Sequence, residues 1–211
     1  CATGMTAEYE YDRLDVRGME ERIWTNRLYS PAILLLTYNR NTGWSSGMRG
    51  PLMLVSLHIT HSSAGGMECL NDIIPGIEDA VGKALAESKD VEEYVIIRTC
   101  NRLEAYVATD DNHDVRLMME RIVRKTIPYS DREFWYILQD NECIKHLFTV
   151  VCGIDSLIVG EDQIQHQTRD AFMKAQKEGH VGKSLYALFN NAIIVGKRVR
   201  TETELNKGAV S

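Results

Sequence analysis

Val95-Ile96-Ile97-Arg98-Thr99-Cys100-Asn101-Arg102-Leu103-Glu104-Ala105-Tyr106-Val107 decides how this chain folds. A β-branched run ends in a cysteine, an Asn-Arg pair follows, and a second alternating run departs at once. The pattern predicts two strands joined near Asn101, a residue that tolerates tight turns. Cys100 then lies at a strand end, where a side chain can reach solvent or a cleft. Arg102 supplies a fixed positive charge two residues on. Such a charge can lower a thiol pKa below its free value of about 8.5, and it can hold a carboxylate. The alternative is a buried cysteine beside a structural ion pair, because Cys is among the most often buried residue types.

Outward from that hairpin, the alternation of Leu52 to His61 reads as a strand. Ile77, Ala80, Val81, Ala84 and Leu85, after Pro75-Gly76, form the stripe of an amphipathic helix. Val115, Met118, Met119 and Ile122 mark a second helix, with Arg121, Arg124 and Lys125 on its wetter side. Phe134 to Leu138 suits a short strand or a packed loop. The order βαββαβ suggests helices on one face of a small antiparallel sheet, with parallel crossovers left open. From Asn141 the chain turns helical. Ile144, Leu147, Phe148 and Val151 share one stripe, with His146 on its shoulder. Gly153 to Gly160 links into a helix opened by Glu161, on which Gln163 and Gln167 share a face. Leu185 to Val199 defines the last long helix, ending in Lys197, Arg198 and Arg200. The expected class is α+β: a small, mostly antiparallel sheet with helices packed on it, followed by a C-terminal helical segment.

A chain of 211 residues can bury a sizeable core, and 44% hydrophobic with 26% charged residues is a globular composition. No apolar run approaches the roughly 18 residues of a membrane span, so no membrane partner is expected. The cysteines at 1, 69, 100, 143 and 152 lack paired metal-site spacing. They point to free thiols in a reducing cytoplasm, and no metal is expected. A net charge of −6 confines any nucleic-acid surface to a local basic patch. Residues 1–50 carry six Arg and no Lys, whereas every Lys occurs from Lys83 onward. That shift suggests a poorly ordered extension translated from upstream of a start at Met48 or Met53. An accessory segment packed through its Trp and Tyr is the rival.

Three blocks carry a resemblance. Thr99-Cys100-Asn101-Arg102-Leu103-Glu104 is similar to the signature of glutamyl-tRNA reductase. Gly153 to Ile164 resembles that family's Gly-Leu-Asp-Ser-x-x-x-Gly-Glu-x-Gln-Ile. Gly196 to Thr203 with Gly208-Ala209-Val210-Ser211 supplies the third, and the blocks stand in the family's order. The resemblance covers about residues 53–211 and implies an extension at 1–50, a catalytic domain at 51–207 and the start of a linker helix at 208–211. Thr60-His61 resembles the family's first strand end, but Ser62 to Gly66 departs from its usual sequence. Asp162 stands where many relatives have Pro, and His166 where they have Gly.

What the resemblance implies is an enzyme of tetrapyrrole biosynthesis. Cys100 would attack the ester of glutamyl-tRNA(Glu) as a thiolate, and NADPH would reduce the thioester to glutamate-1-semialdehyde. His146, ten residues before Ser156 as in the family, would be the second catalytic residue. Arg102 would bind the substrate carboxylate, with Thr99, Asn101, Ser156, Glu161, Asp162, Gln163 and Gln167 positioning the rest. The family also implies a homodimer and the aminomutase that consumes glutamate-1-semialdehyde as a further partner. No Gly-x-Gly-x-x-Gly follows a strand, so the chain looks like the catalytic domain without its NADPH-binding domain. From the residues alone, a different cysteine acyl-transferase or hydrolase, or a non-catalytic α+β binding module, would also fit.

Overall fold

The computed structural model describes residues 52–60, 67–126, 135–156 and 163–202. The expected extension at 1–50 and linker start at 208–211 lie outside the described residues, as do His61, Glu161 and Asp162. The elements are β1 (Met53–Thr60), α1 (Met67–Glu87), β2 (Val91–Arg98), β3 (Arg102–Thr109), α2 (Asn112–Thr126), β4 (Tyr136–Gln139), α3 (Asn141–Val151), α4 (Gln163–Lys177) and α5 (Lys183–Glu202). The strands form one sheet in the order β2-β3-β1-β4. All three pairings are antiparallel, so the crossovers left open by the sequence do not occur in this sheet.

Strand β3 is buried along its whole length, which requires cover on both faces. Leu103, Ala105 and Val107 point to one side, where they join Val55, Leu57 and Ile59 beneath α1 and α2. Tyr106 and Ala108 point to the other, with Val95 and Ile97, beneath α3, α4 and α5. The expected one-sided sheet is therefore a sheet between two helical layers. Its second face looks polar in sequence because Ser56, His58 and Thr60 alternate with the apolar set, yet all three are buried.

Helix α1 begins before the Pro75-Gly76 pair that reads as its entry, and Pro75 lies inside it. Proline forfeits one backbone bond and crowds the preceding turn. Burial of Ile74 on the same stripe as Ile77, Val81 and Leu85 offsets that cost. Among the described helices, none is long and apolar enough to cross a membrane.

Two contacts lock the second layer. The buried carboxylate of Glu93 on β2 accepts hydrogen bonds from the amides of Gly182, Ser184 and Leu185, at 2.9, 3.0 and 2.8 Å. It caps α5 from across the fold and satisfies donors that every helix start leaves open. Gly196 lets α5 approach α3: a Cβ there would stand 2.8 Å from Val151 Cγ1 and 3.0 Å from the Val151 carbonyl oxygen.

Candidate active site

Residues 99–101 turn β2 into β3, and Thr99 builds the turn. Its amide donates to the Arg102 carbonyl at 2.9 Å. Its Oγ1 accepts from the amides of Asn101 and Arg102 at 3.0 and 3.2 Å. Cys100 is left exposed at the tip as a free thiol. A small recess beside it is lined by Thr99, Asn101, Arg102, Ser156, Gln163 and Gln167, with Ile164 as its apolar wall. Six of the residues expected to bind substrate thus converge on the expected nucleophile. Two buried polar atoms of this set, Ser156 Oγ and Asn101 Oδ1, have no protein partner. Buried polar atoms without partners are rare and costly, and here they mark where a polar ligand would be held.

Arg102 differs from the freely presented cation the motif suggests. It is only 2% exposed. Nη1 donates to Glu104 Oε1 at 2.9 Å and to Asp155 Oδ2 at 3.0 Å, and Nη2 donates to the Asp155 carbonyl. The β-strand period puts residues 102 and 104 on one face, so this guanidinium meets its own neighbour's carboxylate before any ligand's. The Glu104 contact is sealed, but the Asp155 side chain is 45% exposed. These contacts engage three of the five N–H donors a guanidinium carries, and Arg102 still lines the recess.

Glu104 is the centre of a second layer. Oε1 accepts from His146 Nε2 at 2.9 Å, as well as from Arg102. Oε2 accepts from the Tyr106 hydroxyl at 2.8 Å. Burial pushes the Glu104 carboxyl up, but the contacts with His146 and His58 outweigh it and hold the group well below the ordinary carboxylate range. Burial opposes the charge on Arg102 as well, yet Glu104 and Asp155 drive its pKa higher still. The cluster is therefore a buried salt bridge with Glu104 hydrogen-bonded through both oxygens, the case in which removing one partner is severe. His146 acts on this carboxylate and does not line the recess. The structure thus places the expected second catalytic residue one layer behind the recess, with its Nε2 on Glu104.

His58 faces Glu104 across the β1–β3 pairing. Its Nδ1 stands 3.6 Å from Glu104 Oε1, too far for a hydrogen bond, and has no other partner. Its Nε2 lies 2.7 Å from Ser56 Oγ, which donates in turn to Cys143 Sγ at 3.0 Å. The ring stacks on Tyr136 and meets His146 edge-on, with centroids 4.9 and 4.1 Å apart. Burial, reinforced by the charge of His146 and Arg102 and opposed by Glu104, lowers its pKa from 6.5 to about 4. The ring is neutral at pH 7.

His58, Glu104 and Asp155 were not singled out as site residues by sequence reasoning. Glu104 lies within the signature itself. His58 had no local signal, since its partnership with Glu104 exists only through strand register. Cys143 and Cys152 do not compete with Cys100: both are buried, and burial pushes their thiols up to about 12. His166 is exposed at the start of α4, and the basic end of α5 is partly engaged, with Arg198 donating to Glu202 at 3.0 Å.

A family model for the N-terminal domain of glutamyl-tRNAGlu reductase matches residues 58–203. The chain belongs to that family. It is 38% identical over 159 residues to the glutamyl-tRNA reductase of Methanococcoides burtonii, covering 74% of this chain and 36% of that protein. The Bacillus subtilis glutamyl-tRNA reductase is 38% identical over 130 residues, 60% of this chain and 29% of that one. The solved glutamyl-tRNA reductase of Methanopyrus kandleri superposes with a TM-score of 0.53 at 27% identity, over 75% of this chain and 37% of that one. The chain thus spans about a third of the length of the glutamyl-tRNA reductases it matches. In this glutamyl-tRNA reductase domain, the residues around Cys100 fall within the matched region.

Proposed function

We propose that this chain carries the acyl-transfer site of a glutamyl-tRNA reductase. One observation carries the reading: an exposed thiol shares a recess with Ser156 Oγ and Asn101 Oδ1, two buried polar atoms that lack partners. The Cys100 thiolate attacks the carbonyl carbon of the glutamyl ester. The carbon–oxygen bond to the tRNA ribose breaks, the ribose oxygen leaves with a proton from solvent, and the glutamyl group stays on sulfur as a thioester. Asn101 Oδ1 accepts a hydrogen bond from the substrate ammonium, and Ser156 Oγ with Gln163 and Gln167 holds the remaining polar atoms. Glu161 and Asp162, which precede Gln163 in the sequence, belong to the same proposed binding set. The side-chain carboxylate of the glutamyl group binds Arg102 in the place that Asp155 occupies, because that contact is the solvent-facing one. Thr99 is a positioning residue through the turn it builds. Glu104 and His146 position Arg102 from behind.

NADPH, the hydride donor implied by the family, finds no cradle among the described residues. The described sheet is antiparallel throughout and so holds no parallel β–α–β unit of the kind that cradles a dinucleotide. Tetrapyrrole biosynthesis, a homodimer, the aminomutase partner and a cytoplasmic location complete the proposal at the level of the whole protein.

The test is incubation with glutamyl-tRNA labelled in its glutamyl group, followed by a gel under conditions that preserve thioesters. The wild-type chain retains label, and Cys100→Ala does not. Label persisting on Cys100→Ala refutes the assignment. Equal labelling by simple thioesters or glutamine esters points to a different cysteine acyl-transferase.

A further inference from the structure

His58, Glu104 and His146 come from three elements that share no sequence spacing: β1, β3 and α3. Their nearest donor atoms all lie within 4.8 Å of one another. A tetrahedral ion with bonds of about 2.1 Å separates its ligand atoms by about 3.4 Å. His58 Nδ1 to Glu104 Oε1 is 3.6 Å, and His146 Nε2 to the same oxygen is 2.9 Å. The His58–Glu104 spacing already fits such an ion, and the His146–Glu104 contact must open by about half an ångström to admit it.

The hydrogen-bond pattern indicates what is missing between them. His58 is fully buried, and its Nδ1 faces Glu104 Oε1 without a hydrogen-bond partner. A buried polar atom left without a partner is rare and costly, and a cation held between this nitrogen and the carboxylate would satisfy both. The contact of Nε2 with Ser56 Oγ, 2.7 Å away, is the arrangement that orients a metal-bound imidazole.

We propose that His58 Nδ1, Glu104 Oε1 and His146 Nε2 form a binding site for a divalent first-row transition ion, with zinc, cobalt and nickel as the suitable class. Two imidazoles and one carboxylate suit these ions better than magnesium or calcium, which prefer all-oxygen shells. The ion takes the place of the proton shared by His146 and Glu104, and the His146 proton moves to Nδ1. Arg102 keeps the other lone pair of Oε1 and Tyr106 keeps Oε2, so the carboxylate remains oriented. The ion enters past His146, whose side chain is 13% exposed while those of His58 and Glu104 are fully buried. Occupancy would tie the second layer behind the recess to metal availability.

Metal binding is measured directly and does not depend on the acyl-transfer reading. The chain is stripped with a chelator and titrated with Co2+ while the visible absorption is followed. The expected result is a single saturable site with a nitrogen- and oxygen-ligated spectrum, displaced by Zn2+ and untouched by excess Mg2+. His58→Gln and His146→Gln each weaken binding by about a hundredfold or more, because losing a ligand atom costs at least as much as losing a group that only orients one. Cys100→Ala leaves binding unchanged. A wild-type chain that fails to bind Co2+, or a spectrum with a sulfur-to-cobalt charge-transfer band, overturns the proposal whether or not either variant folds. Binding unaltered in both histidine variants, or lost in Cys100→Ala, also overturns it.

Discussion

Replacing His58 with Gln should flatten the acid side of the stability profile. Glutamine keeps a donor for Ser56 but does not titrate. In the folded chain the His58 pKa is lowered from 6.5 to about 4 by burial, helped by His146 and Arg102 and resisted by Glu104. The groups facing the ring are Glu104, Ser56, Tyr106, Tyr136 and His146. Because the folded pKa is the lower one, the unfolded chain binds the proton more readily between the two values. The stability tied to a neutral His58 is fully present above pH 6.5 and is lost as pH falls toward about 4. At about 1.4 kcal/mol per pH unit, that interval amounts to about 3 kcal/mol, a large share of the 5–15 kcal/mol typical of a domain. Glu104 loses its own contribution at lower pH still, since its carboxyl is held well below the ordinary range. Urea unfolding with EDTA present, at steps from neutral pH to about pH 4.5, gives the difference between wild type and variant. The wild type should lose about 2–3 kcal/mol more than His58→Gln across that range. Parallel curves would show that the ring titrates as it does in the unfolded chain, and the buried neutral histidine would be wrong.

Gly196→Ala drives a methyl group into Val151 and should cost about 1–3 kcal/mol in urea unfolding; a neutral result would mean α3 and α5 are not held at this distance. Glu93→Ala removes the acceptor of three amides at the start of α5 and should cost about 1–3 kcal/mol, with hydrogen exchange accelerated first at residues 182–185. A brief pulse of a bulky alkylating reagent should mark Cys100 well before Cys143 and Cys152, which react only after unfolding; peptide mass spectrometry would show the reverse if Cys100 were enclosed. Asp155→Ala should lower the KM of thioester formation with little change in maximal rate, because it removes a competitor for Arg102; a raised KM would show that Asp155 helps to bind substrate.

The hairpin and the amphipathic helices could be read locally because their signals are local. Val95 to Ile97 and Leu103 to Val107 alternate around a turn, and the stripes of α1, α2 and α3 follow the helical period. The two-sided cover of the sheet could not be read the same way. Arg102, Glu104 and Tyr106 occupy alternate positions on β3, which in a single string looks like a solvent face. In the fold these residues satisfy one another and His146 in the interior. His58 is the sharper case. It lies opposite Glu104 only because β1 pairs with β3 in the observed register, and that register is set by two apolar faces and not by any residue near position 58. The recess was accessible to reading through the motif around Cys100, whereas the engagement of Arg102 by Asp155 joins residues 53 positions apart.

The backbone-close crossing at Gly196 makes α5 a stiff lever. No pliable side chain cushions it against α3, so a twist or slide of α5 must displace the turn of α3 beside Val151. His146 rides on that same helix, little more than one turn upstream. Strain applied at the far end of α5 would therefore arrive as a change in the angle between an imidazole and the carboxylate it holds.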